Sequence, residues 1–176
     1  ADYPEKLQAL LPQLESLRRR LAARGWEVRP GEPLKVTLCP KGYGYTGSEV
    51  AAALESGGIY PEFYDTDHVV LMVSPQNDPA ELRRLEEVLA ALPRRQAIRQ
   101  GPPPMPRLEQ AVTPHEAMLS PWEEVPLAAC CGRISAAGAL GCPPAVPVVL
   151  CGQRIDAAAV EVLRYYGFRR CAVLTE

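Results

Sequence analysis

The side chains that could do chemistry are few, and their spacing does not define a site by itself. The chain has two histidines, His68 and His115, and six cysteines, at positions 39, 130, 131, 142, 151 and 171. No two cysteines form the CxxC pair that zinc knuckles and redox motifs use. We therefore interpret the cysteines as reduced thiols, most of them small residues of the core.

The histidines give only weak indications of catalysis. His68 opens an apolar run and is interpreted as structural, while His115 falls in the first turn of a predicted helix, where exposure explains it. A cysteine–histidine nucleophile pair stays open as an alternative. It would require a cysteine and a histidine to meet in a cleft, and nothing in their spacing favours such a meeting.

Composition narrows the class of protein. The 176 residues are 47% hydrophobic and 23% charged, as in soluble globular chains of one or two domains. A net charge of −2 gives no electrostatic case for nucleic acid or for an anionic membrane surface. Neither a secretory signal nor an apolar run of about 20 residues is visible, so we expect a cytoplasmic protein.

Apolar periodicity predicts alternating helices and strands in the first half of the chain. Leucines at helical spacing predict an amphipathic helix over residues 4–24. The order of the elements that follow predicts a small α/β sandwich with helices on one sheet. These elements are strands at 34–39, 60–64 and 68–73, a helix capped by Thr46 that runs to about Leu54, and a helix at 79–92 that Asn77 or Asp78 caps.

A proline-rich segment predicts the domain boundary. Four prolines lie between Pro102 and Pro106, and no apolar period is visible around them. We therefore predict three parts: a small α/β subdomain with its leading helix at 1–93, a linker at 94–107, and a second domain at 108–176.

The second domain contains the most distinctive stretch of the chain, residues 123–155. Adjacent prolines and β-branched residues decide which backbone conformations it can adopt. Within this stretch we predict a short helix or strand at 125–131, extended backbone at 142–147 and a buried strand at 146–150. Elsewhere in the second domain we predict a short helix capped by Thr113, a helix capped by Asp156 and a closing strand at 171–174.

Four short pieces stand in a fixed order in this stretch. They are Val125-Pro126-Leu127, Gly-Arg-Ile-Ser-Ala at 132–136, Pro-Pro-Ala-Val-Pro at 143–147, and Gly-Gln-Arg-Ile at 152–155. In this order and spacing they resemble the C-terminal region of the pyridoxal-phosphate-dependent ornithine/lysine/arginine decarboxylase family. Leu-Lys-Val-Thr-Leu, Gly-Tyr-Thr-Gly and Gly-Ile-Tyr-Pro-Glu, between residues 34 and 62, are similar to the small subdomain of that family. The resemblance covers most of residues 34–170.

The resemblance implies an α+β fold and part of an enzyme. The implied fold is a small aminotransferase-like C-terminal subdomain, with helices on a short sheet, followed by a small decarboxylase C-terminal domain. Such enzymes remove the α-carboxylate of a basic amino acid through a lysine Schiff base with pyridoxal phosphate. The only lysines here are Lys6, Lys35 and Lys41, and none follows a histidine.

The resemblance therefore implies a C-terminal fragment that is not catalytic alone. In the family, pyridoxal phosphate is held by a large domain upstream, so that domain and a second subunit of a homodimer are the expected partners. No cofactor is expected on this chain by itself. The fragment is expected to shape the substrate entrance and to support the dimer.

Four residues in the matched pieces are candidates for the substrate entrance or an interface: Arg133, Ser135, Cys142 and Gln153. A guanidinium directly after a glycine could pair with a carboxylate across a dimer or toward the substrate. A salt bridge that only fixes the loop is the favoured alternative for Arg133. Ser135, Cys142 and Gln153 are interpreted as neighbours of the active-site mouth.

Departures from the family pattern support an alternative hypothesis about the function. Ala137, Gly141, Cys142, Ala145 and Gln153 differ from the residues that are usual in the family. Gln153 stands where a Glu is usual, which removes a negative charge that would attract a cationic amino-acid side chain. In this alternative the protein is a non-catalytic assembly or regulatory module that kept the fold.

Overall fold

The computed structural model describes residues 2–140 and 146–175. They form two compact units, Ala1–Gln100 and Gly101–Glu176, and each unit is described by itself. Both units combine helices with small antiparallel sheets, which confirms the predicted α+β class. The domain limits drawn from the sequence, at 93 and 108, stay a prediction.

A long amphipathic helix, α1 (Tyr3–Ala23), leads the first unit. Asp2 fixes its start, because the Asp2 side chain accepts a hydrogen bond from the Tyr3 N–H. The chain leaves the helix at Gly25, which has a φ of +93°. Glycine adopts this left-handed conformation with little strain, because it has no Cβ. The helix predicted at 4–24 is confirmed, and its inward face carries the buried residues Leu10, Leu14, Leu17 and Leu21.

The first unit contains a four-stranded antiparallel sheet. Its strands are β1 (Glu27–Arg29), β2 (Lys35–Cys39), β3 (Phe63–Tyr64) and β4 (Val69–Met72), in the order β1-β2-β4-β3. The predictions for β2 and β4 are confirmed. The edge strand predicted at 60–64 is reduced to β3, because Pro61 lacks the N–H that a ladder needs. The sequence predicts no strand at β1, since its outer two residues are exposed and form no apolar run.

Two further helices share one core with α1 and the sheet. They are α2 (Gly47–Ser56) and α3 (Pro79–Ala91). Both begin with a capping box, and the predicted caps Thr46 and Asp78 are confirmed. Burying one large aliphatic side chain in this core stabilises the fold by about 1.5–3 kcal/mol. The buried side chains include Val36, Leu38, Leu54, Val69, Leu85 and Leu89.

The segment after α3 lies along the loop that follows β2. Tyr45 is buried there, and its hydroxyl donates to the Pro93 carbonyl oxygen at 2.7 Å. The Arg95 N–H donates to the Tyr43 carbonyl at 3.0 Å. The Arg95 guanidinium carbon also lies 4.0 Å from the centroid of the Tyr45 ring, a cation–π arrangement. These contacts fix the first residues of the predicted linker to the first unit.

Short helices and two-stranded sheets build the second unit. In chain order its elements are α4 (Pro114–Leu119), β5 (Trp122–Pro126), β6 (Ala139–Leu140), β7 (Val149–Leu150), α5 (Ala157–Tyr165) and β8 (Arg170–Leu174). β5 pairs with β8 and β6 pairs with β7, both antiparallel. The predicted N-caps Thr113 and Asp156 are confirmed. The buried core includes Val125, Val149, Ile155, Leu163 and Val173.

The structure revises two predicted elements of this unit. The run at 125–131 is divided between the end of β5, where Pro126 fixes φ, and a 3-10 helix at Leu127–Ala129. The strand predicted at 146–150 is reduced to β7, because Pro147 has no N–H to donate. The extended backbone predicted at 142–147 lies mostly outside the described residues.

Candidate functional site

The centre of the second unit is the segment 132–136, called here the central segment. It runs alongside the turn at 152–155, so two of the four pieces singled out in the sequence lie side by side. Backbone hydrogen bonds join them directly. The bonds run from Gly132 N–H to the Ile155 carbonyl at 2.7 Å, from Ile155 N–H to the Arg133 carbonyl at 2.9 Å, and from Ser135 N–H to the Gln153 carbonyl at 2.8 Å.

The other edge of the central segment faces β8. The Ala136 N–H donates to the Ala172 carbonyl at 3.0 Å, and the Leu174 N–H donates to the Ile134 carbonyl at 2.9 Å. β8 pairs with β5 along its own far edge. The central segment is therefore hydrogen-bonded on both sides, and the bonds of the buried Ser135 satisfy backbone groups that burial would otherwise penalise.

The turn beside the central segment requires a glycine. Gly152 has φ +80°, and a Cβ built on it would lie only 2.3 Å from the Val112 carbonyl oxygen. The same Cβ would lie 2.5 Å from Gln110 Nε2. That amide nitrogen donates to Val112 O at 2.7 Å and to Cys151 O at 2.9 Å. Backbone and side chain thus approach the turn too closely for any Cβ.

Arg133 links the central segment to β5 and β8. Its Nη2 donates to Glu123 Oε1 at 2.8 Å and to the Leu174 carbonyl at 2.6 Å. The Arg133 side chain is 19% exposed, against 50% for Glu123. The ion pair is therefore only partly screened by water, and it fixes the segment within its own unit. A role for Arg133 at a substrate entrance or an interface stays a prediction.

The other three predicted site residues have different surroundings. Ser135 is fully buried, and its Oγ has no hydrogen-bond partner among the described residues. Gln153 Oε1 accepts the Leu150 N–H at 2.8 Å, which ties the side chain to its own turn. Cys142 lies outside the described residues. The structure thus brings Arg133, Ser135 and Gln153 together around one backbone ladder.

Two residues of this arrangement are missed by reasoning from the sequence. Gln110 bridges two carbonyl groups beside Gly152, but it follows a proline-rich segment that gives no structural signal. Glu123 pairs with Arg133 from a neighbouring strand, and only the strand register brings the two together. From the sequence alone, neither residue can be distinguished from the many other polar residues expected at the surface.

The first unit brings a cysteine and a histidine together. The register of β2 and β4 pairs Leu38 with Val69, so the next pair along the two chains is Cys39 opposite His68. Asp65 lies beyond His68, and its Oδ1 accepts the His68 N–H at 2.7 Å. The Asp65 Oδ1 is also 3.4 Å from His68 Nδ1. This distance is long for a hydrogen bond, and we treat the contact as an ion pair.

The charges around His68 favour its protonated form. The Asp65 carboxylate, helped by the Cys39 side chain, raises the pKa of His68 to about 9, although burial acts in the opposite direction. Burial alone would raise the pKa of Asp65, but His68 and nearby backbone N–H groups hold that pKa below its ordinary value. The interpretation of His68 as structural agrees with its burial at 8% exposure. His115 is exposed, as predicted.

The lysines do not fit a pyridoxal-phosphate site. Lys35 Nζ lies 2.9 Å from Glu32 Oε1, and Lys41 Nζ pairs with Asp67. Lys6 is exposed on α1. A Schiff-base lysine lies beside groups that hold the phosphate and the pyridine nitrogen, whereas Lys35 and Lys41 each contact a carboxylate instead.

Neither a metal site nor a membrane-spanning helix is found among the described residues. Within residues 2–140 and 146–175, no three side chains of the His, Cys, Asp and Glu types come together as a metal site. No helix in that part of the chain combines the length and the apolar character needed to cross a membrane.

Known sequences similar to this chain point to one family. The family model described as Orn/Lys/Arg decarboxylase, C-terminal domain, matches residues 94–172. The arginine decarboxylase of Bacillus subtilis (strain 168) is 28% identical over 133 residues, which cover 70% of this chain and 27% of that protein. These matches confirm the resemblance predicted from the four sequence pieces.

Solved structures share the fold. The lysine decarboxylase of Francisella novicida has a TM-score of 0.65 at 14% identity, and the constitutive lysine decarboxylase of E. coli has 0.62 at 18%. Lysine decarboxylase A of Pseudomonas aeruginosa has 0.63 at 14%. Each similarity covers 97% of this chain but only 40–41% of the solved chain. The chain thus spans less than half of the length of these relatives.

A pair of glycine substitutions tests the close approach at the turn. Gly152→Ala is expected to lower the free energy of unfolding by about 2–4 kcal/mol, because it adds both backbone strain and overlap with Val112. Gly138→Ala is the control, since no atom lies within 4 Å of its Cβ position, and its change should stay within about 0.5 kcal/mol. Urea denaturation followed by circular dichroism measures both. Equal effects would contradict the proposed packing.

The ion pair at His68 predicts how stability depends on pH. The folded-state pKa of about 9 lies above the ordinary value of 6.5, so the stabilisation is fully present below pH 6.5 and is lost as the pH rises through 9. The expected loss is about 1–3 kcal/mol. It should disappear in His68→Gln and persist in His115→Gln. Chemical denaturation at a series of pH values measures it, and an unchanged slope in His68→Gln would refute the assignment.

Proposed function

We propose that the chain is the C-terminal part of an enzyme that removes the α-carboxylate of ornithine, lysine or arginine, because residues 94–172 match the model of the Orn/Lys/Arg decarboxylase C-terminal domain. The observation that carries the proposal is the direct pairing of the central segment with the turn at 152–155. Two sequence pieces typical of the family thereby form one structural unit. The chain covers 27% of its arginine decarboxylase relative, so the activity proposed is that of a longer protein.

Pyridoxal phosphate is the proposed cofactor of that longer protein. When bound, it supplies the electron sink that decarboxylation needs. Because no lysine described here fits the group, the proposal assigns its binding to a domain upstream, which is the first proposed partner of this chain. A cytoplasmic location is part of the proposal and agrees with the free cysteines among the described residues.

The proposed task of the second unit is to shape the substrate entrance. Arg133, Ser135 and Gln153 suit that task as positioning residues, because each is held by the ladder around the central segment. A segment that is hydrogen-bonded on both sides keeps its backbone conformation when a substrate or a neighbouring domain binds beside it. Cys142 adjoins this group along the sequence and is proposed as its neighbour.

An exposed apolar stretch supports a second task in assembly. Met118, Leu119 and Trp122 are 71%, 74% and 61% exposed. Large apolar side chains grouped at a surface are typical of places where another domain or subunit packs. We propose that this stretch contributes to a homodimer or to the contact with the upstream domain.

The alternative function is a non-catalytic assembly or regulatory module of the same family. Gln153 favours it, because its side-chain oxygen is used on the Leu150 N–H and it carries no charge. The neighbouring Arg154 donates to the Gly132 carbonyl at 2.9 Å, and its charge is offset by Glu109, whose Oε2 lies 3.5 Å from Arg154 Nε. The uncharged Gln153 therefore adds no negative charge that would attract the cationic side chain of a basic amino acid.

A decarboxylation assay on the full-length protein that contains this chain separates the two functions. Release of CO₂ from arginine, lysine and ornithine is measured with pyridoxal phosphate present. The enzyme proposal predicts release from at least one of the three amino acids. A folded protein that binds the cofactor and releases no CO₂ from any of them would support the module instead.

Two arginine variants show whether the central segment affects the active site. Arg133→Gln should lower kcat/KM by about tenfold or more, because it removes the bonds to Glu123 and Leu174. Arg170→Gln is the matched control, since it breaks an exposed pair with Glu124 on the same two strands. If the two variants have equal kcat/KM, the central segment does not position the entrance.

A further inference from the structure

The sheet of the first unit carries apolar side chains on both of its faces. In β4, Val69 and Leu71 are 0% and 5% exposed and belong to the core of the unit. Because successive side chains of a strand point to opposite faces, Val70 and Met72 lie on the other face, called here the outer face. The strand register extends the outer face across the sheet. Its central side chains are Thr37, Phe63, Val70 and Met72.

The helices of the first unit pack against the opposite face of the sheet. Buried residues of α1, α2 and α3 form one core with Val36, Leu38, Val69 and Leu71. Within the described residues 2–100, that core includes none of the four central side chains of the outer face. Three of these side chains are half-buried, and Met72 is 53% exposed. The outer face therefore lacks a layer of helices.

The composition of the outer face is unusual for a sheet surface in water. An antiparallel sheet with one solvated face normally has polar side chains on that face. Here the centre is mostly apolar, and the charged residues lie at the margin, with Arg29 opposite Thr37 and Lys35 opposite Met72. An apolar centre with a charged rim is typical of an interface. We therefore expect a second layer of protein on this face.

The size of the outer face limits what could form that layer. The sheet has four strands. With strands about 4.8 Å apart and about four residues long, its area is roughly 250–300 Å². A stable dimer of separate chains needs about 800 Å² on each partner, so this face is too small to hold a second copy by itself. A domain of the same polypeptide can pack on a smaller area, because the covalent link keeps its effective concentration high.

We infer that the outer face is the docking surface for the upstream domain of the longer protein. The inference rests on the proposed function, in which that domain binds the cofactor. The length of the relatives supports it, since this chain covers 27% of the arginine decarboxylase and 40–41% of the solved lysine decarboxylases. Phe63, Val70 and Met72 form the centre of the contact. Arg29 and Lys35 lie at its rim, where they favour acidic residues of the docked domain.

Oxidation of Met72 tests the docking in the longer protein that contains this chain. Its rate with hydrogen peroxide is measured by peptide mass mapping in the folded protein and again in urea, so that Met72 is its own reference. A covered Met72 should react at least about ten times more slowly in the folded protein. A side chain that stays 53% exposed should be slowed only about twofold. That smaller effect would overturn the inference.

A charge placed on the outer face gives a second test. Met72→Glu should lower the thermal midpoint of the longer protein by at least about 3 °C, because docking would bury the new carboxylate. Ala52→Glu is the matched control, since Ala52 is exposed on α2, and its shift should stay within about 1 °C. Equal shifts would contradict the docking. If Met72→Glu does not fold, the oxidation of the unmodified protein decides.

Cross-links from Lys35 identify what covers the outer face. The longer protein is prepared as a mixture of isotope-labelled and unlabelled subunits, and its lysines are cross-linked and mapped by mass spectrometry. We expect cross-links that join Lys35 to the upstream domain. Cross-links that join Lys35 of a labelled subunit to the outer face of an unlabelled one would assign the face to a second copy and would overturn the inference.

The decarboxylation assay on the same protein separates this inference from the proposed function. Release of CO₂ together with an unprotected Met72 would refute the docking and leave the enzyme proposal standing. A protected Met72 without release of CO₂ would support the docking and favour the non-catalytic module.

Discussion

The two-sided hydrogen bonding of the central segment is the constraint on which the second unit depends. Residues 132–136 have no regular strand or helix of their own, but they bond to the turn at 152–155 on one side and to β8 on the other. The close approach at Gly152 and the Arg133–Glu123 pair both hold this arrangement in place. A piece of sequence that looks like a loop is thus the middle of the unit.

Local signals explain what could be predicted from the sequence. The caps at Thr46, Asp78, Thr113 and Asp156 are visible because a capping residue and its partner lie within three positions of each other. The approach of Cys39 to His68 and the role of Gln110 depend on register and on contacts between distant residues, which periodicity does not encode. The family resemblance located the central segment, but only the structure shows what its residues bond to.

The two units differ in the chemistry that their side chains make possible. The first unit holds a charged row in which a thiol, an imidazole and a carboxylate lie on neighbouring strands. The second holds a backbone ladder whose side chains fix its shape, and its predicted site residues make structural contacts. Neither unit offers a lysine that fits pyridoxal phosphate among the residues described. The structural contacts of the second unit are compatible with the proposal that this chain positions and assembles while another domain binds the cofactor.

The measurement that tests this account most directly is a titration of the purified chain with pyridoxal phosphate, followed by borohydride reduction and mass mapping of the lysines. We expect no stoichiometric adduct on Lys6, Lys35 or Lys41. Lys35 and Lys41 are ion-paired, and an exposed helical lysine such as Lys6 forms only a weak, reversible Schiff base. A stoichiometric adduct at one lysine, with the absorbance of a Schiff base, would contradict it and would place a cofactor site within this chain.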